Sequence, residues 1–192
     1  MNVLMAKDIV NVPLLIKGCR EGNRSSQLRL YEHFYGYGMG ICLRYCSNRE
    51  EALEVLNDGF LKVFTKVNLY NPLYPFKGWL RKILINSSID YHRKYHKLGS
   101  AEELGYEAEI KNATHNLGLE NLAYDDLLKV MQKLSPAYRL VFNLYVIDGL
   151  PHKEIAKKLN ISEGTSKSNL AKAKNKIKSL LGASHGIYYK PR

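Results

Sequence analysis

Lys153-Glu154-Ile155-Ala156-Lys157-Lys158-Leu159-Asn160-Ile161-Ser162-Glu163-Gly164-Thr165-Ser166-Lys167-Ser168-Asn169-Leu170 reads as two short helices joined by a tight turn. Ile155, Leu159, Ile161 and Leu170 recur at helical spacing and supply the buried side. Ala156 is the small residue where the two helices touch. Asn160 tolerates the left-handed conformation that the turn demands. Ser162 is a natural N-cap for the second helix, and Glu163 sits against that helix's positive end. The pattern predicts a helix-turn-helix whose basic second helix lies in a DNA major groove. An ordinary helical hairpin with a solvated lysine face fits the same stretch taken alone.

Charge is the next discriminator. The 192 residues carry a net charge of +11. Residues 1–97 contribute +7, residues 98–123 contribute −4 and residues 124–192 contribute +8. Two basic blocks separated by an acidic connector predict two nucleic-acid-facing domains and a linker. A membrane-surface protein is also basic, but these stretches lack the broad apolar face that lies in a bilayer. No apolar run approaches the roughly 20 residues needed to span one, and the N-terminus lacks a secretory h-region, so a cytoplasmic protein is expected. Cys19, Cys42 and Cys46 are too few for a disulfide framework and lack zinc spacing, which predicts buried thiols and no metal.

Along the chain, helical periodicity predicts an all-α fold. A first helix covers Asp8 to Gly22 and a second runs from about Ser26 to Cys46, capped by Ser25 or Ser26 and including Leu28 on its apolar side. Gly36-Tyr37-Gly38-Met39-Gly40 is not a phosphate loop, since no strand precedes it and no Gly-Lys-Ser/Thr follows. Close helix packing or a local kink accounts for it. Glu50 to Val67 is strongly amphipathic, with Leu53, Leu56, Phe60, Val63, Phe64 and Val67 as its core stripe. Its opposite stripe holds Glu51, Glu54, Asp58 and Lys62. Asn68 to Pro75 is a loop with Tyr70 and Tyr74 expected at the surface, and Phe76 to Tyr95 is a long basic helix.

An aromatic loop beside a basic helix suits single-stranded DNA, because bases stack on rings while Lys and Arg track phosphates. Tyr70, Tyr74, Phe76 and Trp79 are the candidate stacking surfaces; Lys77, Arg81, Lys82, Arg93 and Lys94 supply charge. For Trp79 and Leu80 a core position competes with that role. His92 and His96 share a helix face, with solvent or phosphate as their expected surroundings. After the linker, a helix covers Tyr124 to Leu134. Ser135-Pro136 starts another that stops at Asp148-Gly149. The second helix of the opening pair continues to about Leu181, with Gly182 as its end signal.

These stretches together resemble a bacterial RNA polymerase sigma factor of the extracytoplasmic-function type. The first match is Glu51 to Phe64, Phe76-Lys77-Gly78-Trp79-Leu80-Arg81-Lys82-Ile83 and Asn86 to Asp90. The second is Leu134-Ser135-Pro136, Arg139 to Phe142, Gly149, Glu154-Ile155-Ala156 and Ser162 to Ser168. The resemblance implies two small helical domains joined by a flexible acidic linker. A region 2-like domain takes 8–97, the linker 98–123, a region 4-like helix-turn-helix domain 124–182 and a tail 183–192. It implies that Glu51, Glu54, Asn57, Asp58 and Lys62 dock on core RNA polymerase. The loop Asn68 to Tyr74 would capture a base flipped from the melted −10 element. Phe76, Lys77, Arg81, Lys82, Asn86, Arg93 and Lys94 would hold the surrounding DNA. Lys167, Ser168, Asn169 and Lys172 would read the −35 element, with Thr165 as a phosphate contact or cap.

Implied partners are the polymerase clamp coiled coil and flap, promoter DNA and an anti-sigma factor; no cofactor is implied, and catalysis belongs to the polymerase. Three departures stand out. Ser166 occupies a position where the family usually has a buried valine, Asn169 one where many members have arginine, and Pro151 one where a capping Ser or Thr is common. Two rivals remain: a helix-turn-helix regulator acting without polymerase, and an interaction protein whose C-terminal half is a structural bundle.

Overall fold

Asparagine side chains set the starts of the first three helices. Asn11 Oδ1 accepts from Leu14 N (3.1 Å), Asn23 Oδ1 from Ser26 N (2.9 Å) and Asn48 Oδ1 from Glu51 N (2.8 Å). Each satisfies an amide that would otherwise lack a partner in the first turn. In this computed structural model, which describes residues 10–95 and 122–185, they open α1 (Val12–Arg20), α2 (Arg24–Tyr45) and α3 (Arg49–Lys66). Asn23 therefore replaces the expected Ser25 or Ser26 cap. Pro13 falls in the first turn of α1, where its missing N–H costs nothing. A single 3₁₀ turn, Val67–Leu69, and a loop lead to α4 (Phe76–Tyr95).

α2 is the central strut of this first bundle, packed against α1, α3 and α4. Its glycines permit a close approach: a Cβ on Gly38 would fall 2.6 Å from Leu56 Cδ1 and 3.3 Å from Leu84 Cδ1. Gly59 on α3 meets the other methyl of Leu84 the same way, at 2.4 Å. Close packing explains Gly38 within the Gly36–Gly40 stretch, whereas a Cβ on Gly36 would meet nothing within 4 Å. Ala52, Val55, Leu56, Phe60 and Val63 are the buried stripe of α3. Leu53 was expected within it and lies at its exposed edge, and Leu28 on α2 is likewise exposed. Helical spacing places a residue on a face, but the packed neighbours set where that face ends.

The C-terminal bundle comprises α5 (Leu122–Gln132), α6 (Pro136–Phe142), α7 (His152–Leu159) and α8 (Glu163–His185). Ser135 caps α6 with proline at the first helical position, as expected. The single helix anticipated from Pro136 to Asp148 instead changes at Asn143–Ile147 to a π-helical turn. Asn143 is fully buried there, and its side-chain amide donates to the Arg139 carbonyl (2.9 Å) and to the Arg44 carbonyl (2.7 Å). A side chain inserted into the carbonyl ladder is a recognised cause of such irregularity. Asn160 takes the left-handed conformation (φ 55°, ψ 49°) that ends α7. Gly182 does not end α8, which continues to His185; a glycine within a helix costs about 1 kcal/mol but does not by itself stop one. The linker assigned to 98–123 lies outside the described residues except Leu122 and Ala123, which begin α5; His96 and residues 186–192 also lie outside.

The two bundles touch. α2 packs against α5 and α6, and α4 against α7.

Candidate polymerase and nucleic-acid interface

The polar stripe of α3 divides into distinct environments. Glu54, Asn57 and Asp58 are exposed, whereas Glu51 and Lys62 are half-buried. Glu51 closes a capping arrangement, its carboxylate accepting from Ser47 N (2.9 Å) and Asn48 Nδ2 (3.3 Å). Lys62 donates to Asp90 Oδ2 (3.2 Å) and Ser87 Oγ (3.1 Å) on α4. Asn57 Oδ1 accepts from the Tyr31 hydroxyl (3.0 Å). Leu61, an apolar side chain outside the stripe read from charge, is exposed on the same helix.

The loop after α3 corrects the expected set of aromatic surfaces. Tyr74 is 68% exposed and its neighbour Leu73 is 86% exposed. Tyr70, expected beside Tyr74 at the surface, is 8% exposed and Phe76 is 5% exposed. Their rings pack edge-on at 5.4 Å, and Trp79 closes the cluster at 5.3 Å from Tyr70. Tyr70 also donates to the Tyr74 carbonyl (2.6 Å), while Arg20 donates to the Tyr70 carbonyl (2.9 Å). Tyr70 and Phe76 are thus the foundation of the loop, and Tyr74 and Leu73 form its tip. Asn68 is exposed at its start.

On α4, Lys77, Lys82, Arg93 and Lys94 are exposed and Arg81 and Asn86 are half-buried. Lys77 Nζ lies 5.5 Å from the Tyr37 ring centroid, a cation–π distance. His92, expected at phosphate or solvent, is fully buried, with Nε2 2.6 Å from the Tyr45 carbonyl; since a carbonyl only accepts, Nε2 donates. Arg81 pairs with Asp148 of the C-terminal domain, whose carboxylate also accepts from the Tyr45 hydroxyl. Burial alone would lower the Arg81 guanidinium, but the facing Asp148 outweighs it and leaves the group above its ordinary value. Burial, and then Asp148, pushes the Tyr45 hydroxyl far up.

In the helix-turn-helix, Ser162 Oγ accepts from Thr165 N (2.9 Å), so Ser162 caps α8. Thr165 is half-buried, with its hydroxyl 2.9 Å from Ser162 Oγ. Lys167, Ser168 and Lys172 are exposed along α8 and Asn169 is half-buried. Ser166 is fully buried and lies 2.8 Å from His152 Nδ1, the partner that a buried hydroxyl requires. The His152 ring stacks on Tyr145 at 4.5 Å. The three cysteines are free and buried, and burial raises each thiol, Cys42 to about 12. Among the described residues no cluster of side chains has metal-binding geometry, and no helix is long and apolar enough to cross a membrane.

Two family descriptions match this architecture domain by domain. Sigma-70 region 2 matches residues 30–97 and Sigma-70, region 4 matches residues 124–177. The chain belongs to the extracytoplasmic-function sigma factors of bacterial RNA polymerase. Among curated relatives, the ECF RNA polymerase sigma factor SigM of Bacillus subtilis is 25% identical, over 79% of this chain and 92% of its own length. SigW of the same organism is 25% identical over 86% of this chain and 94% of its own length. In fold the chain is similar to the sigma factor RpoE of Bartonella quintana, solved in complex with the anti-sigma factor NepR, with a TM-score of 0.51 at 21% identity. That match covers 80% of this chain and 94% of the other. The chain is accordingly a promoter-recognising sigma factor.

Proposed function

We propose that the chain docks on core RNA polymerase through the exposed side of α3, with Glu54, Asn57 and Asp58 at its centre and Glu51 and Lys62 at its margins. The loop tip at Tyr74 then receives a base from the melted −10 strand. Lys77, Arg81, Lys82, Asn86, Arg93 and Lys94 hold the DNA on either side, and Asn68 flanks the base. Lys167, Ser168, Asn169 and Lys172 read the −35 element, with Thr165 at a phosphate. Catalysis resides in the polymerase, and the site of action is the cytoplasm. An anti-sigma factor, the class of partner seen with the RpoE relative, is proposed as a regulator of this chain.

The observation that carries this reading is the coexistence in one chain of two polar surfaces. One is the acidic outer face of α3, the other the basic face of α8, and both are carried on one continuous apolar core. Opposite charges suit different partners: an acidic face repels phosphate and fits a protein, whereas exposed lysines at a recognition helix fit DNA.

Pull-down with bacterial core polymerase and run-off transcription test the proposal together. The variant Glu54→Lys/Asp58→Lys is expected to lose core binding and transcripts with an unchanged circular-dichroism spectrum. Absence of core binding by the native chain at moderate salt, with tight binding to duplex operator, would overturn it in favour of a regulator that acts alone.

A further inference from the structure

Among the described residues, Leu73 is the most exposed large apolar side chain, at 86%. On a loose loop such a leucine would fold back onto the core. Here the backbone that carries it is fixed. Tyr74 N donates to the Asn71 carbonyl (3.2 Å) and closes a β-turn with Pro72 at its second position, where proline's fixed φ is suited. Asn71 Oδ1 accepts from Leu73 N (3.0 Å), a second clamp on the same turn. Beneath it, Tyr70 donates to the Tyr74 carbonyl and Arg20 to the Tyr70 carbonyl. Pro75 follows, and α4 begins at Phe76, whose ring packs on Tyr70. A tip held this way keeps Leu73 in water.

The two side chains of the tip suit different tasks. The Tyr74 ring offers a π-face on which a base stacks. Leucine has no such face and cannot hold a base, but it is one of the apolar side chains that proteins insert between base steps to unstack them. Spacing fits a shared task. Consecutive Cα atoms lie about 3.8 Å apart and the bases of one strand about 3.4 Å apart, so adjacent residues address adjacent positions of a strand.

We propose that Leu73 is the wedge of this loop: it enters the −10 duplex between base pairs and takes the stacking place of the base that leaves for Tyr74. Leu73 opens the step, and Tyr74 holds the base once it is out. The inference rests on the reading of this loop as the receiver of a −10 base.

Holoenzyme assembled from the full chain and bacterial core polymerase tests it on two forms of one promoter taken from the run-off assay. One form is the closed duplex, and the other has its −10 region mismatched into a bubble. 2-Aminopurine in the −10 non-template strand reports opening. Leu73→Ala is expected to slow opening of the duplex about tenfold and to leave transcription from the bubble within about twofold of native. Leu73→Met, apolar and of similar volume, is expected to restore opening, and Leu73→Asn is not. Leu28→Ala removes an exposed leucine from α2 and is expected to change neither readout. Native thermal midpoints in the Leu73 variants are expected and exclude misfolding as the cause. Equal losses on duplex and bubble overturn the wedge, because a contact made only after melting would lower both. Native opening by Leu73→Ala also overturns it, as does loss of core binding, which would place Leu73 against the polymerase. Tyr74→Ala separates the two readings. If it lowers transcription from both templates while Leu73→Ala is silent, base capture stands and the wedge falls. If it is silent while Leu73→Ala slows only the duplex, the wedge stands and base capture by Tyr74 fails.

Discussion

Replacing Arg139 with methionine is expected to unfold the C-terminal domain while leaving the N-terminal bundle standing. Arg139 is fully buried. Its Nε donates to the Met131 carbonyl (3.1 Å), and its Nη2 donates to the carbonyls of Gln132 (3.0 Å) and Leu134 (2.8 Å). Nη1 reaches Ser47 Oγ (3.1 Å) in the other domain. The guanidinium therefore gathers carbonyls that the end of α5 leaves without helical partners. The Met131 carbonyl keeps the Leu134 amide as a second donor, so methionine orphans two carbonyls, Gln132 and Leu134. At about 1–3 kcal/mol for each buried unsatisfied acceptor, the loss is roughly 2–6 kcal/mol. Residues 122–185, at about 0.05–0.15 kcal/mol per residue, hold only about 3–10 kcal/mol in total.

Urea titration followed by circular dichroism should then split into two transitions, with the C-terminal one moved toward zero denaturant. Arg139→Lys keeps the charge but replaces a five-donor fork with a point charge, and should fall between methionine and the native residue. If the methionine variant lost less than about 1 kcal/mol, the carbonyls would have found other donors and the assignment of Arg139 as the organiser of this domain would be wrong.

Tyr74→Ala should leave the thermal midpoint unchanged and weaken binding of a −10 non-template oligonucleotide by about 1–3 kcal/mol, whereas Tyr70→Ala, which empties a core position, should cost about 3–5 kcal/mol of stability. Lys167→Ala and Lys172→Ala should each flatten the plot of log affinity for −35 duplex against log salt by about 0.9, read by anisotropy titration; equal slopes would remove them from the phosphate contacts. The raised thiols predict alkaline sensitivity. Cys42 ionises near 9 when unfolded and near 12 when folded, so the unfolded chain releases its proton first and stability falls as pH climbs through that window. Urea midpoints at pH 8 and pH 11 should show the fall, and Cys42→Ala should blunt it.

What was legible in the sequence was whatever local chemistry dictates. Asn160 in its left-handed turn, Ser162 as a cap, Ser135-Pro136 as a helix start and the apolar rows of α3 and α7 need only residues a few positions apart. The misreadings required knowledge of distant partners. Tyr70 reads as a surface ring because it lies in a loop that contains two prolines. It is buried because Arg20, 50 residues earlier, holds its carbonyl, and Phe76 and Trp79 hold its ring. His92 has the composition of a phosphate contact, yet its partner is the Tyr45 carbonyl on α2. The π-turn had no signature either, since the spacing from Pro136 to Ile147 continues a helical period and only the burial of Asn143 alters the ladder.

Ser166 shows how such an exception is accommodated and what it links. A buried hydroxyl in place of a branched apolar side chain is tolerable only with a partner, and His152 supplies one from the first turn of α7. That ring is steadied by stacking on Tyr145, which lies within the π-turn that delivers Asp148 to Arg81. One irregular turn thus supports two functions: through Tyr145 and His152 it braces the start of the recognition helix, and through Asp148 it binds the basic helix of the other domain. The turn is thus joined to α8 by the Tyr145–His152 stack and the His152–Ser166 hydrogen bond, beside the direct packing of α6 and α7 on α8. Coupling of this kind requires that the Asp148 and Ser166 substitutions be non-additive in −35 binding, because they act at two ends of the same turn.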